Sequence, residues 1–149
     1  MLLLLFQIRE NHFALDATQV VEVAPLLNFK PIPHAPDYVA GKINYRGKAV
    51  PVIDLCFLRA GVAAAERLST RIILINYPGE GRKENLLGLV AEHVTATIRP
   101  PPDFIRPSVS PTGGACFLET LGQEPNELIE WFDPRQELPK QIVEHLFRD

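Results

Sequence analysis

Short apolar runs rich in Leu, Val and Ile recur along the whole chain, and clusters of Gly, Pro, Asn and Asp separate them. Such punctuation belongs to a mainly β chain, because amphipathic helices would space their apolar residues at helical intervals over longer stretches. The pattern predicts strands over residues 2–8, 12–16, 20–26, 43–45, 49–53, 71–77, 86–90, 94–98, 117–121 and 127–131. Turns are expected at REN, RGK, PGEGRKEN and GQEPN, which carry residues that tolerate tight backbone geometry. Two helical pieces interrupt the strands. One is DLCFLRAGVAAAERL, with Asp54 as its cap and Gly61 weakening its middle. The other is the tail DPRQELPKQIVEHLF, with Asp133 at the N-cap, Pro134 at the first helical position and Pro139 restarting it. Ile142, Val143, Leu146 and Phe147 then form one apolar stripe, so a short C-terminal helix should pack on the strands. RPPPDFIRP has too few backbone donors for a ladder and reads as an extended connector.

A weak internal repeat organises these elements. ALDATQVVEV from Ala14 lines up with GLVAEHVTAT from Gly88 at an offset of 74, and PVIDL from Pro51 resembles LIEWF from Leu128 at an offset of 77. The expected architecture is therefore two small barrels of about five strands each, sharing an apolar seam, because neither half is large enough to be comfortably stable alone.

Composition narrows the function. With 149 residues and 46% hydrophobic content, the chain can bury a full core. Its formal net charge of -3 gives no general attraction to nucleic acid or anionic lipid. The opening MLLLLFQIREN lacks a basic leader region and a small-residue cleavage site and is too short to span a bilayer. It reads as a buried first strand, which makes cytoplasmic location the expectation. Cys56 and Cys116 show no metal-ligand spacing and are expected as buried free thiols.

Converging chemistry is absent from the pattern. His12, His34, His93 and His145 are scattered without a paired spacing, and Ser69, Ser108 and Ser110 lack a nucleophile-elbow context. PGEGRKEN does not have the spacing of a phosphate-binding loop. Glu22 alternates with Val21 and Val23, which places it on a solvated face. The expectation is a non-catalytic protein with no metal and no cofactor. Lys42, Tyr45, Arg46 and Lys48 leave an oligonucleotide-binding barrel as the alternative to a protein-docking surface.

The densest motif is Gly41, then NYRG from Asn44 to Gly47, then PVIDL from Pro51 to Leu55. With VVEV, IPHAPDYVAG, RIILIN, LLGLVAEHV and IRPPP following in order, the chain resembles the CheW-like family of chemosensory coupling proteins over essentially its whole length. Tyr45 departs from the Leu usual between Asn and Arg, and residues 112–125 match poorly. Within the family the look is similar to coupling proteins of Wsp-type surface-sensing pathways. The resemblance implies one CheW-like domain over residues 1–149, made of two intertwined SH3-like five-stranded barrels. It implies an adaptor between the cytoplasmic tip of methyl-accepting receptors and the regulatory domain of a CheA-type histidine kinase, associated with membrane receptor clusters. Carried over by motif, Val20, Gly41 and Arg46 are receptor contacts and Glu22 a kinase contact, while Asn44, Gly47 and Asp54 are structural.

Overall fold

The computed structural model describes residues 2–78, 84–99, 117–119 and 128–147. Nine strands dominate it: β1 (Leu3–Ile8), β2 (Asn11–Asp16), β3 (Val20–Pro25), β4 (Val39–Tyr45), β5 (Lys48–Asp54), β6 (Arg71–Pro78), β7 (Glu84–Ile98), β8 (Phe117–Glu119) and β9 (Leu128–Trp131). Three short helices complete it: α1 (Leu55–Ala60), α2 (Pro134–Glu137) and α3 (Lys140–Leu146).

The strands fall into two five-stranded groups that share β7. In the first, β1 pairs with β2 and with the end of β7, β2 runs parallel to β9, and β9 pairs with β8. In the second, β6 pairs with β3 and with the start of β7, β7 runs parallel to β5, and β5 pairs with β4. The two groups thus repeat one pairing order. They form two intertwined SH3-like barrels with a short C-terminal helix. The second closes where the chain beyond β3 meets β4: Lys30 N–H donates to Lys42 O at 2.9 Å, and Lys42 N–H donates back to Lys30 O at 2.8 Å.

Burial explains why the strands read as continuous apolar runs. On β1, Leu3 packs with Ala14 and Ile129, while Leu4, Phe6 and Ile8 face a larger cluster. On β6, Ile72 and Leu74 join Ile43, Val50, Val52 and Val90, while Ile73, Ile75 and Tyr77 face that same larger cluster. Strands buried on both faces lose the apolar–polar alternation. The larger cluster is the seam, where residues of the first group such as Phe6, Phe13 and Leu15 meet Ile53, Ile73 and Leu89 of the second. Phe6, Phe13 and Phe132 fill it, with the Phe6 and Phe13 rings stacked and Phe132 edge-on to both. Val143 of α3 is fully buried there, with Leu146 and Phe147 packed beside it.

Several boundaries differ from expectation for identifiable reasons. The strands expected at 86–90 and 94–98 are one fifteen-residue strand, β7, because no turn residue separates them. It bends without breaking at His93, whose φ is 49°. β4 starts at Val39 rather than 43, since Lys42 and Gly41 contribute backbone to the ladder despite their poor strand propensity. α1 stops at Ala60 because Gly61, with φ of 73°, caps it by donating to Phe57 O. In the tail, Pro139 separates α2 from α3. Parallel pairing sets Val52 opposite Gly88 and Trp131 opposite Ala14. With the offset of 74 kept, Val52 then corresponds to Trp131, an offset of 79 rather than 77. A slip of two residues preserves strand parity, so the apolar pattern could not detect it. The corrected register sets Asp54 against Asp133, and both cap the helix that follows. Cys116 and the Pro-rich connector beyond Arg99 lie outside the described residues.

Candidate functional site

The NYRG stretch is a two-residue hairpin between β4 and β5, with Tyr45 opposite Lys48. Arg46 and Gly47 both have positive φ, 51° and 83°, as a type I′ turn requires. Glycine adopts this freely, whereas an arginine there is strained. Asn44 Oδ1 accepts the Gly47 N–H at 2.9 Å, a bond that closes the turn. Arg46 is exposed, and its guanidinium carbon lies 5.3 Å from the centre of the Tyr45 ring. Among the described residues Arg46 has no carboxylate partner.

Tyr45 connects this turn to β3. It is half-buried against the interior of the second barrel, and its hydroxyl donates to Glu22 Oε2. That bond pushes the Tyr45 hydroxyl pKa up, aided by partial burial, because it ties up the proton against a carboxylate. Arg46 and Glu22, assigned by motif to two different partners, therefore both contact one tyrosine, Arg46 over its ring and Glu22 at its hydroxyl. Neither the spacing nor the strand pattern foretold the contact, because β3 and β4 lie at opposite ends of the second group and meet only on closure. Glu22 is exposed as expected, yet Val21 is exposed as well, at 43%. A register shift between Val20 and Glu22 breaks the alternation there.

Val20 and Gly41 are less accessible. Val20 is half-buried and packs against the seam. Gly41 is buried, with φ of 138°, and a Cβ there would lie 2.6 Å from Lys30 O and 2.9 Å from Phe29 Cβ. Gly41 thus permits the backbone approach that closes the second barrel.

Asp54 lies at the end of β5. Its Oδ1 accepts the N–H groups of Cys56 at 2.9 Å and Phe57 at 3.3 Å, capping α1, and its Oδ2 accepts Ala64 N–H at 3.0 Å. It therefore fixes both the start of α1 and the loop beyond it.

One polar centre has no counterpart in the sequence reading. Glu92 on β7 is only 6% exposed. Its Oε1 accepts from Arg9 N–H and from the Cys56 thiol, both at 3.2 Å, and its Oε2 accepts from Ala65 N–H at 3.4 Å. Burial pushes the Cys56 thiol up to about 12, with the bond to Glu92 adding to it, so Cys56 stays protonated and unreactive. For Glu92 itself burial acts upward, but the bonds from Cys56, Arg9 and Ala65 outweigh it and hold its carboxyl below the ordinary value. Parity gave no signal, because residues 87–92 are buried on both faces of β7. Among the described residues no group of three or more His, Cys, Asp or Glu side chains is placed to hold a metal ion. No helix among them is long and apolar enough to cross a membrane.

Comparison with known proteins agrees with this geometry. The model of the CheW-like domain matches residues 2–140. The chain is 31% identical over 109 residues to the chemotaxis protein CheW of Rhizobium meliloti, covering 68% of this chain and 67% of that protein. It is 29% identical over 110 residues to the chemotaxis protein CheW of Klebsiella aerogenes, covering 68% and 62%. The chain thus spans about two thirds of the length of these relatives. Among solved structures, the scaffolding protein TtCheW from Thermoanaerobacter tengcongensis superposes with a TM-score of 0.70 at 25% identity, over 89% of this chain and 83% of that one.

Proposed function

The chain belongs to the CheW-like domain family, and from that premise we propose that it is a non-catalytic adaptor in chemosensory signalling. It couples the cytoplasmic tip of methyl-accepting receptors to the regulatory domain of a CheA-type histidine kinase. The observation that carries this reading is the β4–β5 turn. It presents Arg46 in a strained, exposed conformation with no ion pair among the described residues, beside an exposed Glu22. Arg9 is also an exposed arginine with positive φ, so what supports docking at Arg46 is the added arrangement: Tyr45 lies under its guanidinium and binds the exposed Glu22. The chain acts as one domain of two pseudo-repeated barrels, located in the cytoplasm with membrane receptor clusters. Val20 and Gly41 contribute to receptor docking through the shape of β3 and of the barrel closure. The oligonucleotide-binding alternative is disfavoured by the net charge of -3 and by Tyr45 lying half-buried rather than splayed as a stacking platform.

Arg46→Glu tests the reading. The variant should stay within about 0.5 kcal/mol of the parent in stability, as surface substitutions do. It should lose about 2–4 kcal/mol in docking to the receptor tip or the kinase regulatory domain through charge reversal. Pull-down from the source cell should recover one receptor class and one kinase. Motility receptors assign it to chemotaxis, and a receptor tied to cyclic-di-GMP synthesis assigns it to Wsp-type surface sensing. Unchanged capture of both partners by Arg46→Glu would overturn the assignment of this surface.

A further inference from the structure

Among the described residues, Tyr45 touches both exposed charges of the candidate surface. Its hydroxyl donates to Glu22, and its ring lies under the Arg46 guanidinium at 5.3 Å. We infer that Tyr45 is the positioning residue of the docking surface: it holds Glu22 and Arg46 apart as two pre-aimed charges and sets Arg46 to receive a carboxylate of the protein partner. This rests on the docking reading above and adds the residue that makes that surface specific.

The geometry argues as follows. A guanidinium lying over a ring keeps its N–H edge open while its face is covered, which is the orientation that two-point recognition of a carboxylate needs. A free arginine at a turn tip samples many rotamers and loses that entropy on binding, and stacking on Tyr45 removes part of the loss beforehand. Glu22 and Arg46 both contact Tyr45, and an ion pair between them would cancel both groups. The Tyr45 hydroxyl engages Glu22 instead. Lys42 and Lys48 flank the turn, so the hairpin is locally cationic on a chain of net charge -3, and an anionic protein face is the partner it fits. Tyr45 can serve as a fixed post because its ring packs against the barrel interior.

The test uses the full chain with two probes: the purified cytoplasmic signalling fragment of the receptor recovered by pull-down, and the kinase regulatory domain. Tyr45→Phe keeps the ring and loses the hydroxyl, and Tyr45→Leu loses both. The expected loss of affinity is about 3-fold for Phe and about 10-fold for Leu, from one exposed hydrogen bond and one cation–π contact. In an Arg46→Ala background, Tyr45→Leu should cost no more than the loss of about 3-fold seen for Tyr45→Phe, because only the Glu22 contact is left to lose. In the free protein, the ring-current shift of the Arg46 Nε proton should survive in Tyr45→Phe and vanish in Tyr45→Leu. If Arg46→Ala weakens binding but Tyr45→Leu does not, the inference is overturned and the docking reading stands. Equal losses from Tyr45→Leu with and without Arg46 would also overturn it, because Tyr45 would then be an independent contact. If Arg46→Ala binds both probes as the parent does, the docking reading fails and this inference fails with it.

Discussion

Replacing Glu92 by Gln tests whether a buried carboxylate locks the junction between the two barrels. Glu92 sits where β7 crosses from one strand group to the other, next to the bend at His93. Its three donors come from the β1–β2 turn (Arg9), from α1 (Cys56) and from the loop after α1 (Ala65). Gln can still accept from Arg9 and Cys56 through its one carbonyl oxygen, but its amide nitrogen then faces the Ala65 N–H donor to donor. The two N–H contacts are long, 3.2 and 3.4 Å, and the thiol is a weak donor, so each of the three is worth about 1 kcal/mol, below the range for well-formed bonds to a charged group. Removing the charge returns part of its burial cost, and the expected net loss is about 1–2 kcal/mol at neutral pH.

The pH dependence supplies a second readout. The folded-state pKa of Glu92 is held below its ordinary 4.5, so the folded protein stabilises the ionised form. That contribution is fully present above the unfolded value and disappears as pH falls through the folded value. Urea denaturation at neutral pH and again below the carboxylate range measures both. The gap between parent and Glu92→Gln should narrow in acid. A variant as stable as the parent at neutral pH, or one whose deficit is the same in acid, would refute the argument.

Asp54→Ala should cost about 2 kcal/mol, more than a simple cap, because three N–H groups lose their acceptor; Asp54→Asn should recover about half, keeping Oδ1 and losing the Ala64 bond. Denaturant midpoints at constant slope check this. Gly41→Ala should cost about 2–3 kcal/mol, since its Cβ would press on backbone and its φ suits only glycine, and any docking defect should track the loss of folded protein. Arg46→Asn, the reverse case, should leave the melting temperature equal or higher, because Asn tolerates positive φ, while docking is lost.

What the sequence made legible was set by local physics. Strand existence, the RGK turn and the caps at Asp54 and Asp133 depend on a few neighbouring residues, and each appears where the pattern put it. Continuity of β7 was hidden because AEH reads as an interruption, although Glu92 there is buried and hydrogen-bonded. The Glu22–Tyr45 contact was hidden for a different reason. It joins residues 23 apart on strands that do not pair with each other, and no periodicity encodes which edge meets which on closure. Gly41 was legible as part of a motif but not in its role, since a backbone approach leaves no trace in hydropathy.

The polar groups of this fold divide by what their removal disturbs. Asp54 and Glu92 accept backbone N–H groups from segments remote from their own strands, so the fold cannot keep those segments in place without them. Arg46 accepts nothing and pairs with no carboxylate among the described residues, and its positive φ costs about 1 kcal/mol that Gly or Asn would avoid. Its stacking on Tyr45 offsets about 0.5–1 kcal/mol of that cost, the range for an exposed pair. The stacked guanidinium and the Glu22 carboxylate bound by the same tyrosine are the geometry on which the docking role proposed above rests. A guanidinium already stacked on a ring loses less side-chain freedom on docking than a free one, which is a property an adaptor surface can use.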